Sequence, residues 1–514
     1  MMKIAFTDND KLRLTLEGII VGIISGIIVS MFRWSIAHSL KFYQGLYVVA
    51  RHNLLLLLAL LFLMVVIAVF VGYLIKKEPD ISGSGIPQVE AQLAGEMKLN
   101  WWSILWRKFV GGILSIGPGL FLGREGPSIQ LGAAVGQGIG DLTHDDKGVN
   151  QRVLIASGAA AGLAAAFSAP IAGAMFVLEE VYHNFSPLVW VTALASAVSA
   201  NVVALYVFGL QPVLQVPYRY SLPIKYYWHL IILGIVLGLL GRLYQIMTLS
   251  MPAVFAKTRL PRYIHGIIPL LLVVPLGLMY TNFIGGGNEV IIDLGKYGTS
   301  LWFLLGLFAL RFIFSMISYG SGLPGGIFLP ILNLGAIIGA IYAVAMNQLG
   351  LLPIYFESNL IIFAMAGYFA CISKAPFTAI ILVTEMVGSL KHLMPLAVLS
   401  LVAYIVVDLL NGAPIYEALK ERLNLNSTYL NRVSKFNDRL EIPIYEGSSI
   451  DGKYIRDIPF PKDILVIAVY RGERQLIPRG DTMVKAGDRI VFMVNAGQRA
   501  KFSKKLSNLI NGID

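Results

Sequence analysis

Two stretches of this chain, about two hundred residues apart, carry nearly the same pattern. One runs Ser115-Ile116-Gly117-Pro118-Gly119-Leu120-Phe121-Leu122-Gly123-Arg124-Glu125-Gly126-Pro127, followed by Leu131-Gly132 and Gly136. The other runs Ser318-Tyr319-Gly320-Ser321-Gly322-Leu323-Pro324-Gly325-Gly326-Ile327-Phe328-Leu329-Pro330, followed by Leu334-Gly335 and Gly339. Each is a Gly/Pro break that opens into an apolar helix. A helix that starts inside an apolar medium leaves its first backbone N–H groups without partners, and these present positive partial charge to whatever lies ahead. Two such breaks in matching halves predict an internally repeated transporter with an anion site where the helix starts meet.

The medium follows from composition. Residues are 56% apolar and only 14% charged, against about 25% charged in soluble proteins. Apolar runs at 54–71, 228–240 and 301–310 predict an all-α polytopic membrane protein; Gly and Pro interruptions predict tilted, broken and half-spanning helices. The net charge of +11 is assigned to positive-inside loops and tails facing the cytoplasm, not to nucleic acid. Cys371 is the single cysteine, so no disulfide framework exists. The amino terminus carries Lys3, Lys11 and Arg13 before the first apolar stretch and is expected to be cytoplasmic.

The repeat extends further. Gly22 and Gly26 with Phe32-Arg33 match Gly234 and Gly238 with Arg242 downstream; Ala169-Pro170 with Glu179 matches Ala375-Pro376 with Glu385. The halves are expected at 16–210 and 228–411, joined by a proline-containing linker at 211–227. The whole membrane domain is expected at 1–425, ending in a charged helix at 416–425. The small residues of 156–166 predict close helix packing. A linker at 426–437 then leads to an α+β domain at 438–514, with strands expected at 440–445, 464–471, 475–477 and 489–494 and a hairpin turn at Gly472-Glu473. A domain this small makes dimerisation plausible.

Five places carry candidate chemistry. In Gly83-Ser84-Gly85-Ile86-Pro87 the Ser84 hydroxyl reads either as a loop cap or as an anion donor. In Gly123-Arg124-Glu125-Gly126-Pro127, Glu125 sits at a helix start, where the dipole favours a carboxylate. A carboxylate there competes with a bound anion and leaves when protonated, so Glu125 reads as both gate and proton acceptor. The repeat partner has Phe328 where the first half has Glu125, so that helix start presents amides without an internal competitor. Glu179-Glu180 reads as an interfacial cap or as an inner proton relay. Tyr416 reads as an interfacial anchor or an anion ligand. No His-Glu-x-x-His spacing or Ser/His arrangement supports an intramembrane enzyme, no metal or cofactor site is expected, and no Thr-Val-Gly-Tyr-Gly filter supports a potassium pathway.

In order and spacing, the Gly83–Pro87, Gly123–Pro127 and Gly326–Pro330 segments with Tyr416 resemble the signature segments of the CLC family of chloride channels and proton/chloride exchangers. The likeness covers about residues 15 to 420. It implies an inverted repeat and a homodimer whose subunits each hold an anion pathway. It also implies a central anion held by Ser84, Gly126, Ile327, Phe328 and Tyr416, with Glu125 as the external gate. A glutamate at the position of Glu180 goes with exchangers, which favours chloride/proton antiport over a passive gated channel; serine at the position of Ser84 goes with chloride. Gln88 departs from a glutamate common in the family and lies outside the implied anion site. The tail resembles the C-terminal subdomain of potassium-conductance regulators (the RCK or TrkA C-terminal fold). Such subdomains dimerise and in some bacteria bind cyclic di-AMP, which makes that nucleotide the candidate tail ligand; no NAD site is expected. The implied location is a bacterial plasma membrane, both termini cytoplasmic.

Overall fold

The computed structural model describes residues 8–143, 149–183, 185–210, 212–214, 221–294, 300–424, 437–461, 463–471 and 474–495, with 502, 505, 506 and 508–510. The linker expected at 426–437 lies outside these but for its last residue, as do the Gly472-Glu473 turn and part of the linker between the halves. The chain divides into two compact units, one of residues 1–93 and 99–421 and one of 94–98 and 422–514.

The first unit is helical. Its first half runs α1 (Asp8–Ala50), α2 (Leu54–Lys77), α3 (Ile86–Leu93), α4 (Trp101–Ile116), α5 (Glu125–Thr143), α6 (Val149–Phe167), α7 (Pro170–Phe176) and α8 (Pro187–Phe208). The second runs α9 (Trp228–Ala256), α10 (Ile267–Met279), α11 (Asn288–Asp293), α12 (Leu301–Gly320), α13 (Phe328–Gln348), α14 (Glu357–Ser373), α15 (Pro376–Val387) and α16 (Leu393–Leu409); α17 (Ile415–Asn424) follows. Among the described residues nine helical stretches are long and apolar enough to cross a membrane. Local signals set their ends. The Asn53 side chain accepts from Leu56 N–H at 3.1 Å to start α2, and Lys76 and Lys77 end it. Proline opens α7, α8 and α15, where its missing N–H costs nothing.

Packing repeats with the sequence. α5 lies on α6 as α13 lies on α14; α6 meets α8 as α14 meets α16; α1 meets α8 as α9 meets α16. Small residues permit this. A Cβ on Gly158 would stand 2.0 Å from the Gly132 carbonyl oxygen, so the backbones of α5 and α6 touch. The repeat partner of Gly132, Gly335, meets the Ala364 carbonyl of α14 in the same way. The apolar stretches of α13 and α14 are 89% buried and that of α2 only 28%, so the helix that opens at Phe328 is central and α2 is peripheral.

The two halves are joined by symmetric contacts. Gly123 and Gly326, at matching positions, exchange two hydrogen bonds of 2.7 Å as an antiparallel bridge. The Glu385 carboxylate accepts from the Ile171 and Ala172 amides at 3.1 and 2.8 Å, capping the start of α7. Reciprocally, the Glu179 carboxylate accepts from the Phe377 and Thr378 amides at 3.2 and 2.8 Å and from the Thr378 hydroxyl at 2.7 Å, capping α15. Equivalent residues that bond each other reciprocally require a local two-fold relation between the halves.

The second unit holds one antiparallel sheet in the order β1-β4-β2-β3, with β1 (Asn437–Pro443), β2 (Leu465–Arg471), β3 (Arg474–Leu476) and β4 (Asp488–Asn495). Val469, Ile490, Phe492 and Val494 form its core with Phe502, Leu506 and Ile510. Arg471 Nε and Nη2 donate to the two Asp488 carboxylate oxygens at 2.8 Å each. Burial pushes the Asp488 carboxyl up, but Arg471 and the Lys485 amide outweigh it and hold it below its ordinary value.

Candidate functional site

The site lies where three chain breaks meet. The loop before α3 contributes Ser84. Gly83 N–H donates to the Gly322 carbonyl at 3.2 Å, and Gly325 N–H donates to the Gly83 carbonyl at 3.0 Å, which ties that loop to the second repeated break. Lys108 of α4, wholly buried, donates from Nζ to the Ile81 and Gly83 carbonyls at 2.8 Å each. A buried ammonium is costly unless its hydrogens are taken up, so this lysine is spent on fixing the loop.

Ser84 stands against the start of α5. A Cβ on Gly126 would come 2.3 Å from Ser84 Oγ, so only glycine leaves room for the hydroxyl. Gly126 in turn adjoins the second break, its nitrogen 3.2 Å from where a Cβ on Gly326 would be. α13 then begins at Phe328, with Ile327 just before it; both residues are buried. The Phe328 ring lies 4.2 Å from that of Phe369, 5.2 Å from Phe167 and 5.8 Å from Phe176. Tyr416, near the start of α17, meets the same Phe176 ring edge-on at 6.1 Å. The structure thus links Ser84, Gly126, Ile327, Phe328 and Tyr416 through direct neighbours, although they come from four elements.

Two polar atoms there are unusual. Ser84 Oγ and the Tyr416 hydroxyl oxygen are buried, and neither has a hydrogen-bond partner among the described residues. Buried hydroxyls are rarely left so, because losing water without replacement costs about 1–3 kcal/mol each. Their chemistry and the nearby helix start fit an anion that accepts hydrogen bonds.

Glu125, the first residue of α5, is fully buried. A Cβ on Gly123 would come 2.3 Å from Glu125 Oε2 and 3.1 Å from the Leu329 nitrogen, so the carboxylate and the opening amides of α13 flank the space Gly123 leaves. Among the described residues the amides of Glu125 and Leu329 are the backbone donors at the carboxylate, and Arg124 Nε is 3.9 Å from Oε1. Arg33 adds a second positive charge within electrostatic reach. An acid of the first half therefore sits at the amide end of the second half's central helix.

Glu180 is placed by a separate turn. α7 ends at Phe176, and one wide turn, closed by Tyr182 N–H to the Val177 carbonyl at 2.7 Å, carries Glu179 and Glu180. Such insertions aim successive side chains apart and occur often at functional positions. Here they separate the adjacent acids: Glu179 caps α15, while Glu180 is buried with Glu90, Glu417, Lys420 and the Tyr416 hydroxyl in electrostatic reach. Sequence reasoning left open which of the two acids is the cap, and it missed Lys108 and the partners of both caps. The signal for the caps was present in the matched Pro170/Glu179 and Pro376/Glu385 pairs.

A family model described as voltage gated chloride channel matches residues 67–408, and one described as TrkA-C domain matches 439–507. The chain is 37% identical over 370 residues to the H(+)/Cl(-) exchange transporter ClcA of Vibrio campbellii, covering 69% of this chain and 77% of that one. To the transporter of the same name from Klebsiella pneumoniae it is 31% identical over 431 residues, covering 81% and 90%. The solved structure of a slow cyanobacterial Cl-/H+ antiporter superposes with a TM-score of 0.76 at 32% identity, covering 81% of this chain and 99% of that one. A CLC-type fluoride/proton antiporter shares the fold at a TM-score of 0.65 and 23% identity. On its sequence, its broken-helix repeat and its superposition, the chain belongs to the voltage gated chloride channel family, the CLC proteins.

Proposed function

We propose that this protein is a secondary antiporter that exchanges chloride for protons across a membrane. The observation that carries the reading is the pair of buried hydroxyls of Ser84 and Tyr416, without a hydrogen-bond partner among the described residues and joined to the start of α13 through Gly126 and the Phe176 ring, with the Glu125 carboxylate at that same helix start. The names of the relatives support exchange over passive conduction.

The mechanism follows from electrostatics. Chloride sheds part of its water and is held by the hydroxyls of Ser84 and Tyr416 and by the amides of Gly126, Ile327 and Phe328. These donors are fixed in place by the Gly123–Gly326 bridge and by Lys108, so little reorganisation is needed. Ionised Glu125 is drawn to the same helix starts, at its own amide and that of Leu329, and competes with chloride. Protonation removes its charge and that competition. Chloride occupancy and the proton on Glu125 are then linked, each shifting the population of the other. Glu180 passes the proton to the inner side.

Reconstituted vesicles with an imposed chloride gradient and a pH electrode test this. Uphill proton movement is the expected result. Chloride flux without it overturns antiport in favour of a passive gated channel. The working form is a homodimer in a bacterial plasma membrane, each subunit with its own pathway and both termini in the cytoplasm. The membrane domain, 1–425, does the transport; residues 438–514, after the 426–437 linker, form a regulatory domain of the TrkA C-terminal type. Cyclic di-AMP is its candidate ligand, and titration of that nucleotide into the full-length protein without heat would remove it.

A further inference from the structure

The two hydroxyls assigned to chloride stand on elements that a single ion pair joins further along. Ser84 lies two residues before α3, and Glu90 lies inside that helix. Tyr416 is the second residue of α17, and Lys420 follows it by four residues, one turn on along the same face. Lys420 Nζ stands 2.6 Å from Glu90 Oε1, and the side chains are only 15% and 3% exposed. A pair this buried gives up much of its Coulomb energy to desolvation and is a poor source of stability for its own sake. It is disruptive to break, because a buried charge then loses its counter-charge at 2.6 Å.

The surroundings give the pair a second consequence. α3 packs on the wide turn Val177–Val181 that carries Glu180. Among the described residues, the charged groups within reach of Glu180 are Glu90 from α3, Glu179 from its own turn, and Glu417 and Lys420 from α17. His183 lies just beyond the turn, within reach of Glu417 and Lys420. Among the described residues, Lys420 is the lysine set within this group of carboxylates. At low dielectric an ionised Glu180 would face like charges on two elements unless Lys420 stood among them.

We infer that Lys420 is a positioning residue for exchange: through Glu90 it clamps the Ser84 and Tyr416 elements together, and it supplies the compensating charge for Glu180 in its ionised form. The inference rests on the exchanger reading and adds to it a residue that acts on both substrates. The clamp ties the inner proton position to the geometry of the chloride site, because one lysine serves both.

The test uses the full-length protein in vesicles, measuring chloride flux, proton flux and their pH profiles, with chloride affinity measured by titration. Lys420→Met is expected to lower proton movement per chloride at least about tenfold, to weaken chloride binding, and to displace the pH profile of proton flux. Lys420→Arg is expected to restore coupling, since charge and reach are kept. Wild-type coupling and pH profile in Lys420→Met, or failure of Lys420→Arg to restore them, overturns the inference. Where Lys420→Met does not yield folded protein, the isosteric Glu90→Gln carries the test: weaker chloride binding supports the clamp, and unchanged binding and coupling refute it. Should the wild-type protein move no protons uphill, the exchanger reading fails separately, and chloride affinity in the two variants still decides the clamp.

Discussion

The starts of α5 and α13 stand at the same place in two copies of one pattern, and Gly123 and Gly326 bond each other across them. α5 nonetheless opens on Glu125 and α13 on Phe328, and where α5 continues with Gly126, α13 has Leu329. The scaffold kept its symmetry where it must pack: Gly132 and Gly335 each meet the neighbouring helix backbone. It lost symmetry where an ion would bind. A carboxylate at both starts would put two like charges at one buried place; an acid at one start alone leaves, on the proposed reading, one charge to move and one fixed amide cradle. On that reading, the difference laid over the duplication marks the working part.

The hardest way to break this comparison is to remove the asymmetric charge. Glu125→Gln keeps the shape and deletes the ionisable group. Proton flux is expected to fall by at least about a hundredfold, in line with loss of a positioned proton-transfer group, while chloride flux persists. A pH electrode and a chloride electrode on the same vesicles read both. If proton flux survived, the difference between Glu125 and Phe328 would have no bearing on coupling.

A smaller effect probes the next position. Gly126→Ala would push a methyl group to 2.3 Å from Ser84 Oγ, so the hydroxyl must move. Chloride affinity is expected to drop by roughly tenfold or more, the worth of one hydrogen bond to a charged acceptor. Isothermal titration of chloride into the purified protein reads it. An alanine without effect would mean that Ser84 does not need the gap that the first half alone retains.

Much of this was legible before any coordinates. The Gly/Pro breaks, the repeat, and the segments around Ser84, Glu125, Phe328 and Tyr416 are local patterns, and local patterns survive in sequence. What stayed hidden was pairing between distant elements. The spacing from Pro170 to Glu179 can be read along the chain, but that Glu179 caps the other half's helix needs the path of both chains. Lys108 and Lys420 carry no local signal, since nothing near them in sequence says that one holds two carbonyls and the other a buried glutamate. The separation of Glu179 from Glu180 depends on one wide turn, and an apolar run gives no sign of where a helix widens.

The smallest predicted effect is also the most discriminating. Glu179 and Glu385 occupy matching positions and perform the same structural task, each capping the first turn of the other half's proline-opened helix. Glu179→Gln and Glu385→Gln should each lower stability by about 1–2 kcal/mol, the cost of weakening hydrogen bonds that lose their charge, and thermal unfolding in detergent should show the two losses to be similar. Their effects on transport should differ. Glu179 adjoins Glu180 on the wide turn, so its variant removes a neighbouring negative charge and loosens the turn that aims Glu180. Glu385 ends a regular helix with no such neighbour after it. Proton movement per chloride should therefore change in the Glu179 variant and stay near wild type in the Glu385 variant. Equal changes in both would mean that the caps act on transport only by holding the halves together, and that the asymmetry of function is confined to Glu125 and Phe328.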